Sequence, residues 1–168
     1  MDPNFSSRQK GVDLREKADL AVDAAGVLSL PARALVWVRG LFAAKEAEVF
    51  YRTMSAAHYQ ELVATGRLPA TAETFISPTR AFSENYQGVL VQFKMRSGTL
   101  NALEGMGVRD ASALSKSLYG EMPVVSKGWS SSNAFFKAEG SQINIGLGQG
   151  RALDTFNSNI QGFSAVRQ

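Results

Sequence analysis

Val49-Phe50-Tyr51-Arg52-Thr53-Met54-Ser55 followed by Ala56-Ala57-His58-Tyr59-Gln60-Glu61-Leu62-Val63-Ala64-Thr65-Gly66 sets the pattern for most of the chain. Val49 to Arg52 reads as a strand, and Ser55 is a hydroxyl residue of the kind that accepts from first-turn amides, so a helix starts there. Tyr59, Leu62 and Val63 share one face of that helix, and Gly66 supplies the left-handed residue that ends it. The same alternation then continues. Thr74 to Ser77 predicts a short strand, Pro78 opens a helical turn through Ala81, Phe82 and Tyr86, and Val89 to Met95 alternates as a half-buried strand should. Asn101 to Gly105 and Ala111 to Tyr119 predict short helices. Pro123 to Ser126, Ala134 to Lys137 and Gln142 to Ile145 predict strands, and Ala152 to Ile160 a closing helix. The expected fold class is α+β, with a mainly antiparallel sheet and flanking helices.

Upstream the texture differs. Ala21 to Ala44 is the most apolar stretch, but Asp23, Pro31, Arg33 and Arg39 interrupt it, so it lacks the run of about 18 apolar residues that reads as a membrane span. A charged segment precedes it, which argues against a signal peptide. Two amphipathic helices are expected instead, Asp13 to Gly26 and Pro31 to Ala47, with Leu35, Val38, Leu41 and Phe42 on one stripe of the second. The shift near Lys45 to Val49 divides the chain into a helical lead-in and linker, residues 1–48, and a folded domain, residues 49–168.

Composition bounds the chemistry. The 168 residues are 45% hydrophobic and 20% charged, ordinary for a globular chain long enough to bury a core unaided. There is no cysteine, which excludes disulfides, thiolate metal sites and a cysteine nucleophile. The net charge is +3. Residues 1–48 carry seven basic and seven acidic side chains, leaving eleven basic against eight acidic in the second part, so an anionic partner is expected there. With His58 the only histidine and no carboxylates at ligand spacing in that part, no metal site is expected. The absence of a G-x-S-x-G elbow argues against a serine hydrolase.

Two segments carry the candidate chemistry. Tyr51-Arg52-Thr53-Met54-Ser55 and Phe75-Ile76-Ser77-Pro78-Thr79-Arg80 are strand ends that each lead through hydroxyl residues into a helix. If the strands are neighbours, Arg52, Thr53, Ser77, Thr79 and Arg80 converge on one edge, with His58 one turn into the first helix. Arginine forks onto phosphate, hydroxyls donate to its oxygens, and histidine exchanges protons near neutral pH. The plainer alternative makes Ser55, Ser77 and Thr79 helix caps and His58 a hydrogen-bonded surface residue. The glycine-rich Gly146-Leu147-Gly148-Gln149-Gly150-Arg151 follows a strand and precedes a helix, but its spacing matches neither nucleotide fingerprint. It serves as a turn, or holds a phosphate loosely with Arg151.

These two blocks, together with Gly107-Val108-Arg109-Asp110 and the run from Phe135 to Gly148, resemble the C-terminal toxin domains of bacterial contact-dependent inhibition proteins of the CdiA type, in the group that cleaves transfer RNA. The resemblance covers about residues 49–168. It implies a toxin carried on a larger secreted or cell-surface protein, acting in the cytoplasm of a target bacterium. It also implies neutralisation by a cognate immunity protein, in some relatives elongation factor Tu as co-partner, and no stable membrane insertion. The apolar helical stretch is similar to the segments placed ahead of such toxin tips.

RNA brings its own nucleophile, the 2′-hydroxyl, so a nuclease needs only a base, an acid and cationic stabilisation, without metal or cofactor. In that chemistry His58 exchanges the proton, Arg52 neutralises developing charge, and Thr53, Ser77 and Thr79 orient the phosphate. Arg80, Lys127, Lys137 and Arg151 hold the flanking backbone, and Trp129 stacks an unpaired base. A second enzyme class shares the layout. ADP-ribosyltransferases, which use NAD, resemble this chain in having a strand arginine, a helix and a later Ser-Thr-Ser-like strand. They also need a late glutamate, and here Glu46-Ala47-Glu48 precedes Arg52 while Glu121 and Glu139 stand alone.

Overall fold

The computed structural model describes residues 47–166. The helices expected upstream, in the lead-in region, lie outside the described residues. Seven strands and six helices alternate along the described chain, in two sheets. The first sheet is wholly antiparallel. Its centre, β3 (Val89–Met95), pairs with β1 (Glu48–Met54) on one side and β7 (Ile160–Ala165) on the other. The second has the order β2 (Phe75–Ile76), β6 (Gln142–Gly146), β5 (Ala134–Glu139), β4 (Gly107–Arg109). Only β4 and β5 run parallel. The fold is α+β with mainly antiparallel pairing.

The first helix, α1 (Ala56–Thr65), forms where its caps put it. The Ser55 hydroxyl accepts from the His58 amide at 3.2 Å, and Gly66, at φ 69°, donates its amide to the Leu62 carbonyl at 2.7 Å. Leu62 is buried and Val63 is exposed, so the helix buries only a narrow stripe.

The core of the first sheet is aromatic. Phe50 opposes Phe93 in register, and Phe156 from α6 (Arg151–Ser158) meets both edge-on, at ring separations of 6.1 and 5.5 Å. All three are fully buried, and each contributes about 1.5–3 kcal/mol by leaving water. The remaining helices are short: α2 (Arg80–Ser83), α3 (Thr99–Glu104), α4 (Ala113–Leu118) and α5 (Trp129–Ser132). Buried Glu48 accepts from the Gly98 and Leu100 amides at 2.8 and 2.7 Å, satisfying donors at the start of α3. No helix among the described residues is long and apolar enough to cross a membrane.

Four elements differ from the sequence reading, which foresaw neither β4 nor α5. Pro123 to Ser126 is not a strand but makes a single bridge, Val124 to Arg109. The closing element is not a helix running to Ile160: α6 stops at Ser158 and β7 follows. The register of β7 on β3 shifts between Lys94 and Met95, so Gln161 is an extra residue. That bulge leaves apolar Ile160 and Phe163 three apart, a spacing that reads as helix.

Candidate functional site

Two sheets meet at one point. Tyr51 on β1 and Ser77, just past β2, exchange main-chain hydrogen bonds of 2.8 Å in both directions. Elsewhere β1 and β2 part, and Pro78, with no N–H to give, turns the chain away into α2. The gap between the strands is a cleft of about 310 Å³. The sequence reading asked whether the two segments meet in space, and they do.

Arg52 crosses the gap. Its guanidinium donates to the Phe75 carbonyl at 2.5 Å and the Thr71 hydroxyl at 3.3 Å. Burial lowers its pKa from the ordinary value, yet an arginine so placed remains a cation. Thr53 lines the cleft too, and its hydroxyl donates to the Ser83 carbonyl at 2.5 Å. Ser77 lies at the cleft floor, 2% exposed. Its oxygen accepts from the Thr79 amide at 3.2 Å and from the Gln142 side-chain amide at 3.1 Å. Thr79 itself is exposed, outside the lining, and its hydroxyl donates to the Gln142 carbonyl oxygen. The second hydrogen of the Gln142 amide goes to Asn144 Oδ1 at 2.8 Å.

β5 adds two charges. Lys137 and Glu139 both line the cleft and pair at 2.5 Å. Glu139 raises the Lys137 pKa, first through that hydrogen bond, against a smaller opposing effect of burial. Lys137 also stands 5.9 Å from the centre of the Phe75 ring. Glu73 completes the lining charges, so two cations face two carboxylates. One wall is aromatic: Phe82 and Tyr86 pack at a ring separation of 5.4 Å, and Tyr86 remains 55% exposed.

The other expected residues lie elsewhere. His58 is half-buried on α1 and does not line the cleft. Arg80 pairs with Glu84 one turn along. Lys127 is exposed just ahead of α5, and Arg151 is exposed at the start of α6. Trp129 packs on Phe75 and Phe135 at 6.1 and 5.0 Å, a role in holding the second sheet together. The glycine-rich turn is likewise seated on protein: a Cβ at Gly148 or Gly150 would stand 2.0 or 2.1 Å from the carbonyl oxygens of Ser130 and Ser131.

Sequence reasoning missed Asn144, Phe82 and Tyr86 as cleft residues and Gln142 as the hydrogen-bond partner of Ser77, and left Glu139 alone. The available signal was the turn Gly140-Ser141, which makes Glu139 and Gln142 cross-strand partners. Once β6 is placed beside β2, that hairpin carries both to Ser77.

Residues 46–165 match the family model of the PT3 toxin domain, and the chain belongs to that family. No curated protein matches it.

Proposed function

We propose that this toxin domain is an enzyme that transfers ADP-ribose from NAD, held in the cleft between β1 and β2. The observation that carries the reading is that Arg52, Ser77 and Glu139 line one cleft. The late glutamate that stands alone in the sequence thus shares a site with the strand arginine and the hydroxyl strand. Charge balance supports it as well. NAD carries an anionic pyrophosphate and a cationic nicotinamide riboside, and two cations with two carboxylates suit such a molecule better than they suit a polyanion. The volume fits a nucleoside portion of the ligand rather than an RNA strand.

In this chemistry Arg52 holds the pyrophosphate, and Ser77 donates to an oxygen of the bound nucleotide. Phe82 and Tyr86 offer a face to the nicotinamide ring. The bond from the ribose C1′ to the nicotinamide nitrogen breaks with its electron pair going to the nitrogen, which becomes neutral. Glu139 stabilises the positive charge that develops on the ribose, as carboxylates do in glycoside cleavage. A nucleophile of the target attacks C1′ and loses its proton to solvent or to Glu139.

A second reading keeps the same cleft and cleaves transfer RNA. It is favoured by Arg52, Lys137, Thr53 and Ser77 converging where a phosphate would sit. Glu139 would then replace His58 as the proton acceptor. The family match supports a toxin; contact-dependent delivery into a competing bacterium and a cognate immunity protein that protects the producer are part of the proposal under either reading.

The deciding experiment incubates purified domain with NAD and a bacterial lysate, and separately with total tRNA in EDTA. Nicotinamide release with a labelled macromolecule supports ADP-ribosyl transfer. Shortened tRNA with NAD untouched overturns it in favour of the second reading.

A further inference from the structure

The geometry points to Gln142 as a positioning residue that forces Ser77 to act as a hydrogen-bond donor toward the bound substrate, an inference that rests on the cleft being the site. A serine oxygen has two lone pairs and one proton. In Ser77 both lone pairs are engaged, by the Thr79 amide at 3.2 Å and the Gln142 amide at 3.1 Å. Only the proton is left to place. Thr79 Oγ1 stands 3.4 Å away, at the outer limit of a useful bond. A phosphate or carboxamide oxygen entering the cleft is the better acceptor, and Ser77 lies on the cleft floor.

Gln142 is itself fixed in the required sense. Its carbonyl oxygen accepts from the Thr79 hydroxyl, and its two amide hydrogens go to Ser77 Oγ and to Asn144 Oδ1. Asn144 is 2% exposed, so that end of the network is held in the interior. Gln142 therefore works through Ser77.

Glutamate at this position is the discriminating change, because a carboxylate accepts and cannot donate. In Gln142→Glu the Ser77 proton turns to the new carboxylate and leaves the substrate. The expected result is turnover at pH 7.5 reduced about tenfold or more, the worth of a hydrogen bond to a charged group, with melting temperature little changed. As the pH is lowered toward the carboxylate range, about 4.3, the ratio of variant to wild-type turnover rises, since a protonated carboxyl donates again. Glu139, Lys137, Glu73 and Arg52 line the cleft in both proteins, so the ratio removes the titration the two share, and Glu139, opposite position 142 in register, is the group the new carboxylate perturbs. Gln142→Met, of similar length, removes donor and acceptor together and loses turnover with no recovery at low pH. It also serves if the glutamate variant does not fold.

The assay is nicotinamide release from NAD, or tRNA cleavage if that proves the reaction, with Arg52→Ala and Ser77→Ala measured alongside. Full turnover by those two alanine variants would sink the cleft reading itself. If both alanine variants are inactive while Gln142→Glu, or the methionine variant in its place, keeps wild-type turnover at every pH, only the role of Gln142 is overturned. In that case Ser77 serves the substrate without Gln142 to orient it.

Discussion

Tyr51 and Ser77 are joined by a reciprocal pair of main-chain hydrogen bonds, each 2.8 Å, and this is the one place where main chain of the first sheet bonds to the segment leading out of the second among the described residues. Residues on either side of that pair are thereby brought together from positions over twenty apart in sequence. Arg52 and Ser77 owe their common cleft to it.

Arg52→Ala removes one of the two cations of the site and the clip on residues 71–75. Loss of an electrostatic donor of this kind reduces turnover by roughly a hundredfold or more. Melting also falls, because a hydrogen bond from a charged group contributes about 1.5–3 kcal/mol. Arg52→Lys keeps charge without the fork, so it recovers little of either. Toxicity on expression and a thermal melt read the two effects separately.

Glu139→Gln separates chemistry from stability. Its ion pair with Lys137 is partly exposed and adds little to folding, so the melting temperature changes little. Turnover drops by roughly a hundredfold or more if the carboxylate faces the reacting centre. Unchanged turnover would remove Glu139 from the mechanism.

Tyr86→Ala tests the aromatic wall. A stacked ring pair is worth about 0.5–1.5 kcal/mol, so KM for the nucleotide rises up to about tenfold while kcat holds. Tyr86→Phe keeps the wild-type KM, because the ring and not the hydroxyl does the stacking. A wild-type KM for the alanine variant would place the nucleotide base elsewhere.

Gly148→Ala addresses stability alone. The new Cβ would stand 2.0 Å from the Ser130 carbonyl oxygen, at a backbone φ of 58°. Both the close approach and the left-handed backbone oppose a side chain, so we expect a loss of about 2 kcal/mol or more, read by denaturant unfolding.

Acid stability should depend on Asp110. Burial raises its pKa, but hydrogen bonds from the Ser112 hydroxyl and amide and from the Ala138 amide outweigh this and leave it lowered. A carboxylate depressed in the folded state adds stability above its unfolded value, about 3.9, and that stability is lost as pH falls through the folded value. Asp110→Asn should flatten this acid limb. An unchanged limb in the variant would assign it to other carboxylates.

Most of the fold was legible because its local signals agree. Ser55 and Gly66 bracket a helix at both ends, and Val89 to Met95 alternates through a complete strand. β7 was not legible, since the bulge at Gln161 gave it a helix-like spacing. β4 is three residues, too short to have a period, and its parallel partner lies far along the chain. The site divides in the same way. Arg52, Thr53 and Ser77 could be read as a cluster because hydroxyls and arginine sit at matching strand ends. Glu139 and Gln142 could not, for their position depends on β6 choosing β2 as a neighbour, a long-range pairing with no local trace. His58 shows the converse: chemical suitability on a neighbouring helix did not bring it to the cleft.

The seam between the sheets is held by few bonds. Widening the mouth there breaks two main-chain bonds, the Arg52 clip and the Thr53–Ser83 bond, none of them a rung of either ladder. A closed barrel would have to slip its strands for an equal movement. A change that prises the seam apart would therefore separate Arg52 from Ser77 while leaving the strand pairing of each sheet untouched.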